Sequence, residues 1–149
     1  MEINLTLPRQ QLFGETIFRD IPLPILATQY SVGHDFFAPK AITFPPNSTT
    51  RVNTGVKLGI PTHLWMKLYI RSSLAMVGLS VKGGVIDPDF KGEITVIVRN
   101  SSSKPVEIEA GQRFCQGVLN PAIRADIHRV EKVATPMGKR EDGLGSTGK

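Results

Sequence analysis

Gly84-Val85-Ile86-Asp87-Pro88-Asp89-Phe90-Lys91-Gly92-Glu93-Ile94 sets two carboxylates in a glycine-flanked turn between apolar runs. Val85 and Ile86 suit a buried strand, Asp87 to Gly92 is turn chemistry, and strand character resumes from Glu93 through Thr95, Val96, Ile97 and Val98. The spacing predicts that Leu79 to Val85 and Glu93 to Val98 pair as a hairpin around Asp87. A carboxylate at the end of a buried strand is held rigidly, as a general base must be. Asp-Pro-Asp is also ordinary turn composition, so on its own the stretch supports either reading.

Outward from this turn the chain reads as many short strands. Leu64-Trp65-Met66-Lys67-Leu68-Tyr69-Ile70 alternates, with Leu64, Met66, Leu68 and Ile70 on one face and Arg71 at its end. A single short helix is expected near Ser73 to Val77, cut off by Gly78. Ser31 to Pro39 is a turn feeding an apolar strand, and residues 40 to 60 read as two strands. Residues 1 to 30, whose prolines argue against helix, supply an edge strand and a crossing segment. A polar loop at 101 to 105, strands at Val106 to Glu109 and Phe114 to Leu119, and a last alternating strand at Asp126 to Val133 complete the pattern. From Ala134 onward no apolar periodicity remains, which predicts a mobile arm at 134–149 after one β domain at 1–133. Eleven prolines and fourteen glycines in 149 residues fit an antiparallel sandwich or barrel in one domain.

Composition narrows function. No apolar run approaches the roughly 20 residues of a membrane span, and the N-terminus lacks a leader pattern, so a soluble, intracellular protein is expected, cytoplasmic or nuclear. Cys115, the only cysteine, excludes an intrachain disulfide and reads as a buried structural thiol. His34, His63 and His128 lack ligand spacing, so no residue is assigned as a direct metal ligand. A charge of +5 and a pI near 9.6 favour an anionic partner. The basic residues are scattered and few aromatics could stack bases, which argues for a small polyphosphate rather than nucleic acid.

Arg71-Ser72-Ser73 puts a guanidinium and two hydroxyls at a strand-to-turn junction, the outline of a phosphate clamp or of a surface arginine beside a serine cap. The tail Gly143-Leu144-Gly145-Ser146-Thr147-Gly148 matches G-x-G-x-x-G but lacks the strand and helix that a dinucleotide fingerprint needs. Its glycines still allow backbone N–H groups to wrap a phosphate.

Five motifs stand in order between residues 31 and 148: the one around Asp35, Arg71-Ser72-Ser73-Leu74-Ala75, the Asp87 turn, Gly111-Gln112-Arg113-Phe114-Cys115-Gln116, and the glycine-rich tail. Together they resemble the trimeric dUTP pyrophosphatases (dUTPases), and the Arg71-to-Asp87 spacing is similar to that of viral members. The resemblance implies a jelly-roll, distorted-barrel subunit in a homotrimer whose sites draw on more than one chain. It implies hydrolysis of dUTP to dUMP and pyrophosphate, which keeps uracil out of DNA and supplies dUMP for dTMP synthesis. Asp87 would accept the proton of the water attacking the α-phosphorus. Ser72 would touch the α,β-bridging oxygen, with Arg71, Ser73 and Gln116 at the phosphates. The backbone around Gly84 and Thr95 would pair with uracil, and Phe90, where the family has tyrosine, would pack under the deoxyribose and exclude a ribose. Mg2+ would be held by the triphosphate and water, with Asp35 orienting that water.

The tail departs from the family. Gly145, Ser146 and Thr147 are kept as phosphate contacts, but Leu144 replaces an aromatic that stacks on uracil. Glu141 and Asp142 replace small residues, and Lys139, or Arg140 shifted by one, stands for the arginine. Looser closure and a raised Michaelis constant are expected. Two alternatives remain open: a family scaffold kept as an interaction or regulatory module, and the related dCTP deaminase. The latter is opposed by Ile97, which stands where that family has its catalytic glutamate.

Overall fold

The computed structural model describes residues 8–134. The chain is all-β, with strands β1 (Phe13–Thr16), β2 (Ile25–Leu26), β3 (Gly33–Phe37), β4 (Ile42–Phe44), β5 (Ser48–Asn53), β6 (Val56–Gly59) and β7 (Leu64–Ile70) preceding one short helix, α1 (Ser72–Ala75). After it come β8 (Leu79–Lys82), β9 (Val85–Ile86), β10 (Thr95–Asn100), β11 (Val106–Ile108) and β12 (Arg113–Pro121). All pairings are antiparallel. A five-stranded sheet in the order β2-β3-β12-β7-β9 faces a three-stranded sheet, β5-β10-β8, and two ladders, β1-β6 and β4-β11, complete the fold.

Alternation sets the two layers. Met66, Leu68 and Ile86 from the larger sheet and Val52, Val96 and Val98 from the smaller one are buried in a common core with Phe36, Phe44 and Phe114. The intervening residues point outward. Two buried polar residues are satisfied within this core. Asn100 donates from Nδ2 to the carbonyls of Phe44 (2.9 Å) and Lys104 (2.8 Å), and its Oδ1 accepts from Ser102 N–H (3.0 Å) and Oγ (2.8 Å). Thr54 Oγ1 donates to the Ile94 carbonyl at 2.7 Å and accepts from Val56 N–H at 3.2 Å.

Three expectations are corrected. Residues 40 to 60 form three strands, not two, because the chain breaks again after Asn53, where Thr54 turns its side chain to the Ile94 carbonyl. The 79–85/93–98 hairpin forms only in part. β8 pairs β10 from Leu79↔Asn100 to Lys82↔Ile97, but Val85 and Ile86 leave it to pair Lys67 and Met66 of β7 in the other sheet. The crossing occurs at Gly83 and Gly84, with φ of 65° and 86°, values open to glycine and costly for other residues. Finally, residues 126 to 133 form no strand: they pair with no edge among the described residues, and Ile127 is 97% exposed.

Candidate active site

Sheet order brings β3, β12 and β7 side by side, and their outward residues build one cleft. Gln116 stands between Asp35 of β3 and Tyr69 of β7 in the ladder. Arg71, the first residue past β7, is fixed by its N–H donating to the Phe114 carbonyl (3.1 Å). Its guanidinium lies between the Asp35 carboxylate (Nε to Oδ1, 3.6 Å) and the Arg113 carbonyl (3.4 Å). Arg113 binds the other oxygen of Asp35 at 3.3 Å. Asp35 is therefore buried between two guanidiniums, which offsets the cost of burying its charge. Ser72 and Ser73 open onto the same cleft, of about 520 Å³, with Ser31, Gly33 and Gln116 along its walls.

Gly33 leaves room for the Gln116 side chain. A Cβ there would land on the carboxamide of Gln116, 2.9 Å from its Cδ. Neither Gly33 nor Arg113 received a role from the sequence alone. Arg113 lay inside a quoted motif, but only the β3–β12 register shows that it faces Asp35.

Asp87 belongs to a second cleft. It follows the buried Ile86, is itself exposed, and lies with Trp65, Pro88, Asp89, Ile123 and Arg124 around a space of about 540 Å³. The turn is closed by Phe90 N–H donating to the Asp87 carbonyl (3.1 Å) and by Lys91 Nζ donating to that of Pro88 (2.8 Å). Arg124, also unassigned from sequence, anchors this wall by donating to the Thr62 carbonyl at 2.9 Å. Phe90 is 43% exposed beside the turn.

Between the clefts lies a slot. Extending the β8–β10 register by two residues sets Gly84 opposite Thr95, yet Gly84 has already turned away, its carbonyl accepting from Leu68 N–H at 2.9 Å. The strands thus splay between Gly84 and Thr95. Thr95 Oγ1 donates to Asn53 Oδ1 at 3.4 Å on the far wall.

The two clefts cannot serve one small molecule within one chain. The β7–β9 register puts Asp87 opposite Trp65, and Arg71 lies six residues further along β7, about 20 Å at the rise of a strand. Both lie on the outer face of the five-stranded sheet, at opposite ends. The sequence quoted all these residues, and the structure gathers Asp35, Arg71, Ser72, Ser73 and Gln116 but holds Asp87, Gly84, Phe90 and Thr95 apart from them. Lys139, Arg140, Leu144, Gly145, Ser146 and Thr147 lie outside the described residues.

Two titratable groups lie away from both clefts, His34 half-buried and Cys115 buried. His34 points inward from β3, its Nδ1–H donating to the Gly117 carbonyl at 3.4 Å. Burial lowers its pKa, with the Gly117 hydrogen bond opposing, Arg9 adding to the lowering and Asp35 opposing. The Cys115 thiol is pushed far up, mainly by burial and further by Asp35, so it is held as the neutral thiol. Among the described residues no group of three or more His, Cys, Asp or Glu is placed to hold a metal ion, and no helix is long and apolar enough to cross a membrane.

A family model described as dUTPase matches residues 19–148. The deoxyuridine 5'-triphosphate nucleotidohydrolase of Candida albicans is 34% identical over 129 residues, covering 85% of this chain and 81% of that protein. The protein of the same name from Anaplasma marginale is 36% identical over 133 residues, with 86% and 90% covered. Among solved structures, the Staphylococcus bacteriophage 80alpha dUTPase with dUPNHPP superposes with a TM-score of 0.85 at 20% identity, covering 95% of this chain and all of that one. A mutant dUTPase of phage phi11, whose structure describes a structural Mg(II) ion, gives a TM-score of 0.75 at 17% identity, with 83% and 98% covered.

Proposed function

The chain belongs to the dUTPase family, and from that premise we propose that each of its active sites is completed by two or more copies. It is a dUTP diphosphatase, releasing dUMP and pyrophosphate from dUTP. The observation that carries the composite site is the separation of about 20 Å along β7 between Asp87 and Arg71. That span is too long for the α-phosphorus and the β,γ-phosphates of one nucleotide. A second copy presenting its Arg71–Ser72–Gln116 cleft to the Asp87 end of the first brings both onto one substrate, and a closed ring of three repeats the contact.

In this assembly the uracil edge enters the slot between Gly84 and Thr95, where backbone donors and acceptors read it. The Phe90 ring packs under the deoxyribose and leaves no room for a 2′-hydroxyl. Asp87 takes a proton from a water in line with the α-phosphorus as pyrophosphate departs. Ser72 and Gln116 of the neighbouring copy hold the phosphates. Asp35 fixes Arg71 beside them, both its oxygens being held by arginines. With both Asp35 oxygens so engaged and no cluster of metal-ligating side chains among the described residues, a magnesium ion would be held by the triphosphate and water, with Asp35 at most orienting that water. When bound, the ion neutralises charge developing on the leaving pyrophosphate. The phosphate contacts that the resemblance implies for Ser146, Thr147 and Lys139 or Arg140 lie outside the described residues.

The test is pyrophosphate release from dUTP, dTTP, dCTP and UTP with magnesium. Release from dUTP alone, abolished in Asp87→Asn, is expected. Equal release from dTTP, or full activity in Asp87→Asn, would refute the assignment of slot and base.

A further inference from the structure

The outward face of the three-stranded sheet gathers cations that are far apart in the sequence. Across the ladder, Arg51, Ile97 and Lys82 form one row, and Thr49, Arg99 and Ser80 form the next. Arg99 is thus diagonal to both Arg51 and Lys82, at about 7 to 8 Å by sheet geometry. No carboxylate stands on these rows, and Ile97 at their centre is 42% exposed. Like charges this close repel unless something anionic sits among them.

This face adjoins the substrate slot. The row Asn53–Thr95 immediately precedes Arg51–Ile97–Lys82, about 7 Å away at two residues of strand rise. A copy seated against the slot, as the composite site requires, therefore extends over the cationic rows. The sheet face that it brings carries Gln116, Val118, Trp65, Lys67 and Tyr69. Of the carboxylates on that face, Asp35 is already held by Arg71 and Arg113, and Asp87 lies at the far end of β7 from the cleft that the copy presents. Beside its phosphate cleft the neighbour offers these cations another lysine, Lys67, and no carboxylate other than the one already paired.

We propose that Arg51, Lys82 and Arg99 form a binding site for a multivalent oxyanion, of the class of inorganic phosphate, lodged where copies of the chain converge and required for their tight assembly. This rests on the composite-site reading above. A phosphate offers several acceptor oxygens to guanidinium and ammonium groups at once, as three neighbouring cations on one face require. Chloride, with one charge and no fork-shaped acceptor, is a poor substitute.

The experiment compares the full-length protein in inorganic phosphate and in sodium chloride of equal ionic strength, by sedimentation and thermal melting. The wild type is expected to assemble in phosphate and to melt several degrees lower, with partial dissociation, in chloride. The triple variant Arg51→Gln, Lys82→Gln, Arg99→Gln should assemble equally in both and lose the difference in Tm. These side chains point outward, and the single variant Arg99→Gln, with part of the response, guards against misfolding. Ser72→Ala, which touches only the substrate's phosphate cleft, should keep the full response.

A phosphate response that survives in the triple variant or vanishes in Ser72→Ala overturns the proposal, since the anion then binds elsewhere. A wild type that assembles without any response overturns it while leaving the composite site standing. A wild type monomeric in every buffer overturns both. Capture of duplex DNA by the assembled protein, lost in the triple variant, would show that the face is open to solvent, and also overturns the proposal.

Discussion

Asp87→Asn keeps the size of the side chain and removes its ability to accept a proton, so it isolates the base from the architecture around it. A drop in kcat of about 10² to 10⁴-fold with little change in KM is expected from steady-state kinetics. A change in KM alone would assign Asp87 to binding. Gly33→Ala acts on the phosphate cleft, where the added methyl displaces the Gln116 carboxamide. The expected result is a raised KM for dUTP with an unchanged melting temperature, because Gly33 faces the cleft and not the core. At the tail, Leu144→Phe restores a ring that can stack on the base, and KM should fall; kinetic parameters identical to wild type would contradict that role.

At the scale of elements, β10 is secured by Asn100, whose side chain bonds reach β4 and the 101–105 loop. Asn100→Ala leaves the Phe44 and Lys104 carbonyls and Ser102 N–H short of partners, and should cost about 1 to 3 kcal/mol in denaturant unfolding. β3 carries a pH-dependent contribution through His34. Its pKa is lower in the fold than in the unfolded chain, so protons bind preferentially to the unfolded state as pH falls below about 6.5. The His34 contribution is fully present above that value and is lost as pH falls towards the folded-state pKa. His34→Gln should flatten that acid limb of the stability profile, as read by melting temperature against pH.

Most of these strands were legible because alternation marks a half-buried strand locally, as in Leu64 to Ile70. Residues 126 to 133 alternate equally well, but an alternating segment becomes a strand only where an edge accepts it. The exchange of Val85 and Ile86 into the other sheet was hidden for the same reason: it depends on the β7 edge, 18 residues upstream at Lys67. The site residues were legible as motifs, yet their grouping was not. Arg113 against Asp35, and Arg99 beside Arg51 and Lys82, are juxtapositions made by register, which no local pattern encodes.

For the whole molecule, the β7 spacing is the ground for proposing that catalysis belongs to the assembly. On the proposed reading, one chain offers a base at one end of β7, the Gly84–Thr95 slot between, and a phosphate cleft at the other end. The most direct test mixes Asp87→Asn protein with Arg71→Ala,Ser72→Ala protein, each inactive alone, and refolds them together before assaying dUTP hydrolysis. Composite sites predict recovery of about a quarter of wild-type activity, from sites pairing the intact base of one chain with the intact cleft of the other under random assembly. A mixture as inactive as its components, shown by sedimentation to contain both chains in one particle, would place the whole site within a single chain and contradict the account.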